Sequence, residues 1–205
     1  FRTHACVFSP DSTLLAVGSG RDTGDHIGEI RIYQVEPLKL VQGPLLHGSL
    51  MFDLDFSVNG TMIAAADDAN VVRLWDVKTG RQLEPPLIHP ASMHACEFHP
   101  IERIIATSSN DGAIRLWDLE SHRPFGPAFQ HEGPAHGLDF NSNGSRLVST
   151  GVEDRVQVWP IPRPAAGTPA EIQDRLERST GLSLSKSGEL SMVGFSQQST
   201  DEDHD

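Results

Sequence analysis

The chain has 205 residues, and 38% of them are hydrophobic, which is enough for one or two packed domains. Its mean hydropathy is −0.29, and no apolar run is long enough to cross a bilayer as a helix. The net charge is −12, from 16 basic and 28 acidic residues. Because an acidic chain cannot neutralise phosphate groups, we expect neither nucleic acid nor a membrane surface as a partner.

The two cysteines, Cys6 and Cys96, provide neither a disulfide framework nor the spacing of a metal-binding knuckle. The sequence opens at Phe1 without an initiator methionine and without a secretory apolar segment. We therefore expect a cytoplasmic protein whose sequence is part of a longer chain.

Side chains recur along the sequence at intervals of 42 residues. The first unit carries six additional residues, which fall within the Gly- and Asp-rich stretch Gly18–Gly28. A repeat of about 40–45 residues is typical of modules that stack around an axis. Four sets of residues keep the interval: Tyr33, Trp75, Trp117 and Trp159; Ile30, Val72, Ile114 and Val156; His47, His89 and His131; and Phe56, Phe98 and Phe140.

Within each unit apolar and polar residues alternate, which predicts short strands and no helix. The first unit opens on a strand at His4–Phe8, and the first hairpins of units two and four turn at Asn59-Gly60 and Asn143-Gly144. In unit three, Asp111-Gly112 joins the second strand to the third. The four strands predicted for unit three are Met93–Phe98, Arg103–Ser108, Ala113–Leu119 and Arg123–Phe129.

The composition changes after Trp159, before unit four has a fourth strand. Proline residues predict a stiff linker over residues 161–168. The order Thr168-Pro169-Ala170-Glu171 is typical of a helix start, and we expect a helix from about Pro169 to Thr180. A small hairpin over Leu182–Val193 completes an extension at residues 169–196, and the acidic residues 197–205 are predicted to be disordered.

Two tetrapeptides, Arg73–Asp76 and Arg115–Asp118, read Arg-Leu-Trp-Asp. At these residues the chain resembles the WD-repeat β-propeller family, and the resemblance covers about residues 1–160. It implies an all-β fold in which four-stranded antiparallel sheets, called blades, form a partial ring. The four blades span about residues 1–46, 47–88, 89–130 and 131–160. Since such rings mostly have more blades, we expect further blades upstream in a parent chain or from an oligomer.

The resemblance also implies a structural tetrad in each blade, a hydrogen-bonded chain of His, Ser or Thr, a carboxylate and Trp. Blade two keeps His47 and Trp75, with Ala65 and Ala69 at the hydroxyl and carboxylate positions. Blade one has Tyr33 for Trp and Ile27 for Asp. The complete sets are His89, Thr107, Asp111 and Trp117 in blade three, and His131, Ser149, Glu153 and Trp159 in blade four.

His, Ser/Thr and Asp together also invite interpretation as a hydrolytic triad. Partial copies at a fixed period that end on an indole N–H favour a structural role instead. A second chemical alternative is a metal site built from His4, His94 and His136, but the sequence offers no fourth ligand nearby. We expect no catalytic residues, no metal and no cofactor.

The resemblance implies a contact surface on the ring face that gathers two sets of loops. These are the loops that enter the first strand of each blade and those that join the second strand to the third. Phe52 stands where other blades have His, and it is the expected aromatic anchor. The predicted partner-binding face comprises Arg2, His4, Leu50, Phe52, Asp68, Ser92, His94, Asn110, Pro134, His136 and Val152.

Repeat geometry without a complete catalytic constellation predicts a non-catalytic scaffold that binds a protein or peptide partner. The alternative rests on the segment after the repeats, which resembles the C-terminal ends of some bacterial proteins that join a Ser/Thr kinase domain to WD repeats. On that alternative the chain is the regulatory or substrate-docking region of a larger kinase. The sequence itself contains no His-Arg-Asp loop and no Asp-Phe-Gly motif.

Overall fold

A computed structural model describes residues 2–20, 28–152, 156–161, 182–184 and 190–192. The chain divides into two compact units, Phe1–Ile161 and Pro162–Asp205. Within the described residues all regular secondary structure is β-strand. None of these residues belongs to a helix long and apolar enough to cross a membrane.

The first unit contains four antiparallel sheets, one for each sequence repeat, and these are the blades. In blades one, two and four, neighbouring strands in the sheet are also neighbours in the chain, and blade three departs from this order only in that its fifth strand pairs with its third. The predicted all-β propeller architecture is confirmed. The strands are β1 (Arg2–Phe8), β2 (Leu14–Gly20), β3 (Gly28–Gln34) and β4 (Lys39–Leu46) in blade one; β5 (Met51–Phe56), β6 (Met62–Asp67), β7 (Val71–Asp76) and β8 (Gln82–Ile88) in blade two; β9 (Met93–Phe98), β10 (Ile104–Ser109), β11 (Ala113–Asp118), β12 (Arg123–Pro124) and β13 (Phe129–Gln130) in blade three; and β14 (Ala135–Phe140), β15 (Arg146–Gly151) and β16 (Val156–Pro160) in blade four.

The hairpins turn where the sequence places glycine after Asn or Asp. The amide of Gly60 donates to the carbonyl of Ser57, and the amide of Gly112 donates to the carbonyl of Ser109. Both glycines have positive φ angles, 67° and 77° respectively, which a side chain would disfavour. The turn residues therefore fix the register of each hairpin.

The fourth strand of blade three differs from the prediction. A continuous strand over Arg123–Phe129 was expected, but two short strands, β12 and β13, pair separately with β11. Between them Gly126 has a φ of +79° and Pro127 lacks an amide hydrogen. A proline cannot donate to the ladder, so the strand is interrupted at this point.

The hydrophobic core lies between blades rather than within them. The side of a blade that faces the next blade in the chain is here called its forward face, and the opposite side is its backward face. At each junction the forward face of one blade packs on the backward face of the next. Because both sides of each inner sheet are apolar, a blade is stable only when it is stacked. At the junction of blades two and three the forward face supplies Ala64, Ala66, Val72, Leu74 and Leu87, and the backward face supplies Met93, Cys96, Phe98, Ile105, Trp117 and Leu119.

In the second unit, strands β17 (Leu182–Leu184) and β18 (Leu190–Met192) form an antiparallel pair. They lie in the region where the sequence predicts a hairpin. The linker predicted after Ile161, the helix predicted from Pro169 to Thr180 and the acidic tail lie outside the described residues.

Candidate functional site

Blade three contains a buried chain of hydrogen bonds across its sheet. The indole Nε1–H of Trp117 donates to Thr107 Oγ1 at 2.9 Å. The same hydroxyl lies 3.1 Å from Nε2 of His89, which the loop before β9 contributes. Thr107 is fully buried, and His89 is nearly so. The chain therefore ties the second and third strands of the blade to the segment that enters it.

The hydrogen bonds fix the tautomer of His89. The guanidinium of Arg115 lies 3.2 Å from His89 Nδ1, and a guanidinium can only donate. Nδ1 is therefore the acceptor, and the ring proton lies on Nε2, where it is donated to Thr107. Burial and the neighbouring Arg115 lower the pKa of His89 to about 3, so the imidazole is neutral. Thr107 accepts two hydrogen bonds and donates its own proton to the carbonyl of Arg115, 3.3 Å away.

The carboxylate of blade three joins this chain through an arginine. Asp111 accepts a hydrogen bond from the Arg115 guanidinium at 3.1 Å and another from the Ser109 hydroxyl. The structure therefore corrects the simple four-residue chain that the resemblance implies, because Arg115 stands between His89 and Asp111.

In blade four the Ser149 hydroxyl links a histidine to a tryptophan. Nε2 of His131 lies 2.6 Å from Ser149 Oγ, and Trp159 Nε1 donates to the same oxygen at 2.7 Å. Gln157 stands at the position that corresponds to Arg115, and its side-chain oxygen is buried without a partner. Glu153, the predicted carboxylate of this tetrad, lies outside the described residues.

Blade two lacks the hydroxyl, and the consequence is visible at His47. The ring packs edge-on against Trp75, with centroids 5.1 Å apart, as the corresponding rings pack in blade three. Ala65 occupies the position of Thr107, and Nε2 of His47 is buried with no hydrogen-bond partner. Burial and the charge of Arg73 lower the pKa of His47 to about 3.

The carboxylate of blade two has moved two residues along the chain. Ala69 stands at the position of Asp111, but the fully buried Asp67, at the position of Ser109, forms the ion pair with Arg73. Comparison of identical repeat positions cannot find Asp67, because it lies two residues before the expected carboxylate position. In blade one, Glu29 pairs with Arg31 at 2.8 Å, whereas Ile27 lies outside the described residues.

The arginine therefore keeps the same position in each repeat, whereas its acidic partner changes position from blade to blade. Arg31, Arg73 and Arg115 keep the 42-residue interval, while their carboxylates come from three different positions of the repeat. The arginine interval was visible in the sequence and could have indicated these pairs. Because the Thr107 hydroxyl is fully buried, the blade three chain cannot reach a substrate as a hydrolytic triad.

A second cluster of acidic residues joins the innermost strands of blades two and three. Asp53 accepts hydrogen bonds from the amides of Leu54, at 2.9 Å, and Cys96, at 3.0 Å. Asp55 accepts from the amide of Phe98 at 2.7 Å. Burial raises the pKa of both aspartates to about 6. These carboxylates satisfy backbone donors on the free edge of β9, which no strand covers.

Glu97, on strand β9 of blade three, lies beside this cluster. Its pKa is raised to about 8, first by burial and then by the negative charges of Asp55, Asp139 and Asp53. Asp55, Glu97 and Asp139 keep the 42-residue interval, so this acidic series could have been found in the sequence. Among the described residues no group of three or more His, Cys, Asp or Glu side chains is placed to hold a metal ion.

The loops that carry the predicted partner face meet at one edge of the blades. In three successive blades an amide of the loop between the second and third strands donates to a carbonyl of the loop that enters the first strand. These bonds join Asp68 to Leu50, Asn110 to Ser92 and Val152 to Pro134, at 2.9, 2.9 and 3.2 Å. Ser92 also donates to the Asp68 carboxylate at 2.9 Å, which connects neighbouring blades.

Three rings from successive blades form a row along this edge, which we call the ring row: Phe52, His94 and His136. The centroids of Phe52 and His94 are 5.9 Å apart, and those of His94 and His136 are 4.4 Å apart. Nε2 of His94 lies 2.7 Å from the side-chain oxygen of Asn110, which holds the ring in place. Phe52 is 37% exposed and His136 is exposed.

The remaining predicted face residues contribute less to the row. His4 is exposed on β1, Val152 is exposed at the end of β15, and Leu50 and Pro134 are half-buried. Arg2 lies in β1, but its side chain is outside the described residues. The three histidines of the alternative metal site are therefore not assembled as one ligand group, although His94 and His136 are neighbours.

Strand order, junction cores and hydrogen-bonded blades define an all-β repeat protein of the propeller class. The sequence model of the family described as WD domain, G-beta repeat matches residues 40–76 and 87–118. These two segments are similar to WD repeats, and the four blades have the β-propeller architecture that such repeats form. WD repeats generally mediate protein–protein interaction, and WD-repeat proteins are typically non-catalytic.

Solved structures show the same fold. The computationally designed Ika4 protein, known from a crystal structure, is 22% identical to the chain. The match covers 78% of this chain and 92% of the designed protein, with a TM-score of 0.61. A search of curated proteins found no match.

Proposed function

We propose that this chain is a non-catalytic scaffold that binds a protein or peptide partner on the edge that carries the ring row. The observation that carries the proposal is the placement of Phe52, His94 and His136 from three successive blades in one contiguous, partly exposed row. Aromatic side chains lose little conformational entropy on binding, and they are enriched among the residues that dominate interface energies.

The surroundings of the ring row favour binding without rearrangement of this chain. The loops beside the row are joined by backbone hydrogen bonds. Asn110 holds His94 within blade three, and Ser92 joins blade three to Asp68 of blade two. A surface that is already ordered loses little entropy when a partner docks. The ring row, flanked by the polar residues Asp68 and Asn110, matches the usual arrangement of an interface, with rings at the core and polar groups at the rim.

The experiment selects peptides from a displayed random-peptide library on the immobilised chain. Capture of the selected clones by the wild type is then compared with their capture by a double variant, Phe52→Ala with His94→Ala. We expect the double variant to lose capture while its circular dichroism spectrum and unfolding midpoint stay close to those of the wild type. The matched control removes two exposed apolar side chains at the opposite edge, Val58→Ala with Ile101→Ala, and should retain capture. Capture that survives in the Phe52 and His94 double variant would contradict the proposal.

The kinase alternative stays a prediction, and the sequence upstream of Phe1 in a parent chain would test it. A β3 lysine, a His-Arg-Asp loop and an Asp-Phe-Gly motif there would make this scaffold the docking region of a kinase. We also propose a cytoplasmic location, which the unpaired thiols of Cys6 and Cys96 support.

A further inference from the structure

Each ring of the ring row stands at a β-bulge in the first strand of its blade. In blade two the register between the first and second strands shifts between Met51 and Asp53, which leaves Phe52 without a cross-strand partner. Corresponding shifts pass over His94 in blade three and His136 in blade four. A bulge re-aims the side chain that it carries. The three rings are therefore presented at the edge by a backbone feature that repeats from blade to blade.

Two acceptor atoms beside the rings have no donor among the described residues. The side-chain oxygen of Asn110 can only accept, so the proton of the neutral His94 ring lies on Nε2, and Nδ1 carries the lone pair. The exposed Asp68 accepts from the Ser92 hydroxyl through Oδ1, which leaves Oδ2 available. Its amide bonds to the loop that leads into Phe52, and its carboxylate bonds to the loop that leads into His94. Both acceptors therefore lie beside the ring row.

Charge is divided unequally between the two edges of the blades. The arginines on the third strands of blades two and three are each paired with a carboxylate, so their charges are compensated. The turns at the opposite edge, by contrast, contain Lys78, Arg81 and Arg103. Three acidic residues, and no lysine or arginine, stand in the described loops at the ring-row edge, which are residues 47–50, 68–70, 89–92, 110–112 and 131–134. In a chain of net charge −12, this edge therefore attracts cations.

We propose that the ring row binds a basic peptide through an arginine side chain, an inference that rests on the proposed function. A guanidinium has a flat face that stacks on an aromatic ring, and its margin carries only N–H donors. On Phe52 it meets a π face, and its donors have acceptors in Asp68 and His94. An apolar side chain would cover the same rings but leave both acceptors without a donor. A lysine ammonium carries the charge but has no flat face, so it should bind more weakly.

The test measures fluorescence polarisation with three labelled peptides in which glycine alternates with arginine, with lysine or with citrulline, the neutral analogue of arginine. The arginine peptide should bind about tenfold more tightly than the citrulline peptide, with the lysine peptide between them. Phe52→Leu keeps an apolar side chain without a π face, and Asp68→Asn removes one charge; each should weaken binding of the arginine peptide several-fold. The matched control, Glu102→Gln, removes the same charge from an exposed turn at the opposite edge and should bind as the wild type does.

An arginine peptide that binds no better than the lysine or the citrulline peptide would overturn the inference. Equal losses in the Asp68→Asn and Glu102→Gln chains would also overturn it, because general attraction between opposite charges does not depend on the ring row.

The clones selected from the random-peptide library separate this inference from the proposed function. Clones whose capture depends on Phe52 and His94 should be enriched in arginine. Clones that depend on the same two rings but lack arginine would overturn the inference and leave the proposed function standing. Capture that does not depend on these rings would overturn both.

Discussion

Blades two and three are built on the same repeat, yet only blade three has a hydroxyl between its histidine and its tryptophan. In blade three Thr107 accepts from Trp117 and His89 and leaves neither donor unpaired. In blade two Ala65 stands at that position, and His47 Nε2 is buried without a partner. The rings still pack at nearly the same distance in the two blades, 5.1 and 5.0 Å.

The comparison separates two contributions that a complete tetrad combines. Packing of the imidazole against the indole survives without the hydroxyl, because it depends on shape and burial. The Arg73 guanidinium still lies 3.5 Å from Nδ1 of His47, but the hydrogen bond from Nε2 to a hydroxyl is lost. An unsatisfied buried donor costs about 1–3 kcal/mol. Blade two therefore retains the geometry of the tetrad at lower stability, and its ion pair between Asp67 and Arg73 replaces the link between Asp111 and Arg115.

The largest effect is expected when blade three is given the defect of blade two. Thr107→Val keeps the volume of the side chain but removes the hydroxyl, which strands both Trp117 Nε1 and His89 Nε2 in the core. We expect the free energy of unfolding in urea to fall by about 3 kcal/mol. Thr107→Ser is the control, and it should lose well under half of that amount. Equal stabilities for the valine and serine variants would mean that the hydroxyl does not stabilise the blade.

A smaller difference should separate the two histidines when each is replaced by the same residue. Both replacements remove an Nδ1 acceptor that faces an arginine, at 3.2 Å in blade three and 3.5 Å in blade two. Only His89→Phe also removes an engaged Nε2 donor, because Nε2 of His47 has no hydrogen-bond partner. Any overpacking by the larger ring is common to both variants. We expect His89→Phe to be less stable than His47→Phe by about 2 kcal/mol at pH 7.

Lowering the pH should also separate the stability of the His47→Phe variant from that of the wild type. The pKa of His47 is about 3 in the folded chain and 6.5 ordinarily, so the unfolded chain binds a proton first as the pH falls below 6.5. The stability that depends on neutral His47 is therefore present above pH 6.5 and is lost between pH 6.5 and 3. The His47→Phe variant should lose less stability than the wild type between pH 6.5 and 5, and parallel curves would contradict this assignment.

Repairing blade two should produce a modest gain. Ala65→Ser places a hydroxyl where Thr107 lies in blade three, within the same frame of histidine and tryptophan. We expect the free energy of unfolding to rise by about 1 kcal/mol, the usual net value of one hydrogen bond. The control is Ala64→Ser, since Ala64 is equally buried but faces the apolar junction with blade three. Stabilisation by both substitutions, or by neither, would show that His47 is not the partner.

The smallest effect concerns the carboxylates that join the two blades. Glu97 has a pKa of about 8 in the folded chain and 4.5 ordinarily, so the folded chain holds its proton longer as the pH rises. Its contribution is present at low pH and is lost as the pH rises from 4.5 to 8. Above pH 6.5 the buried histidines no longer oppose it, and we expect stability to fall by about 1 kcal/mol between pH 6.5 and 8.

Glu97→Gln should flatten that part of the pH profile, because the amide does not titrate. The chain with Asp139→Asn serves as a control, since Asp139 is exposed and contributes to the environment of Glu97 only through its charge. It should retain most of the slope. An unchanged slope in the Glu97→Gln chain would assign the pH dependence to other groups.

Much of the fold could be predicted from spacing alone. The 42-residue interval predicts equal blades, and the Asn-Gly and Asp-Gly turns predict the hairpins that the structure contains. The resemblance to WD repeats, and not the interval, implies that His89, Thr107 and Trp117 form one cluster, and hydrogen bonds join these three side chains in the structure. The split between β12 and β13 was missed, although Gly126 and Pro127 are local signals of an interrupted strand.

The repeat interval by itself determined which side chains are equivalent. Strand alternation and turn residues act over only a few neighbouring residues, so the sequence alone shows where each repeat unit places them. Only the tertiary structure decided which charges meet, because Glu29, Asp67 and Asp111 reach the same arginine position from three different places in the repeat. A side chain several ångströms long can reach the same partner from more than one position of a strand pair. Packing between blades likewise decided that Phe56 is buried while Phe8 is exposed, because burial depends on which sheet lies next to a residue in space.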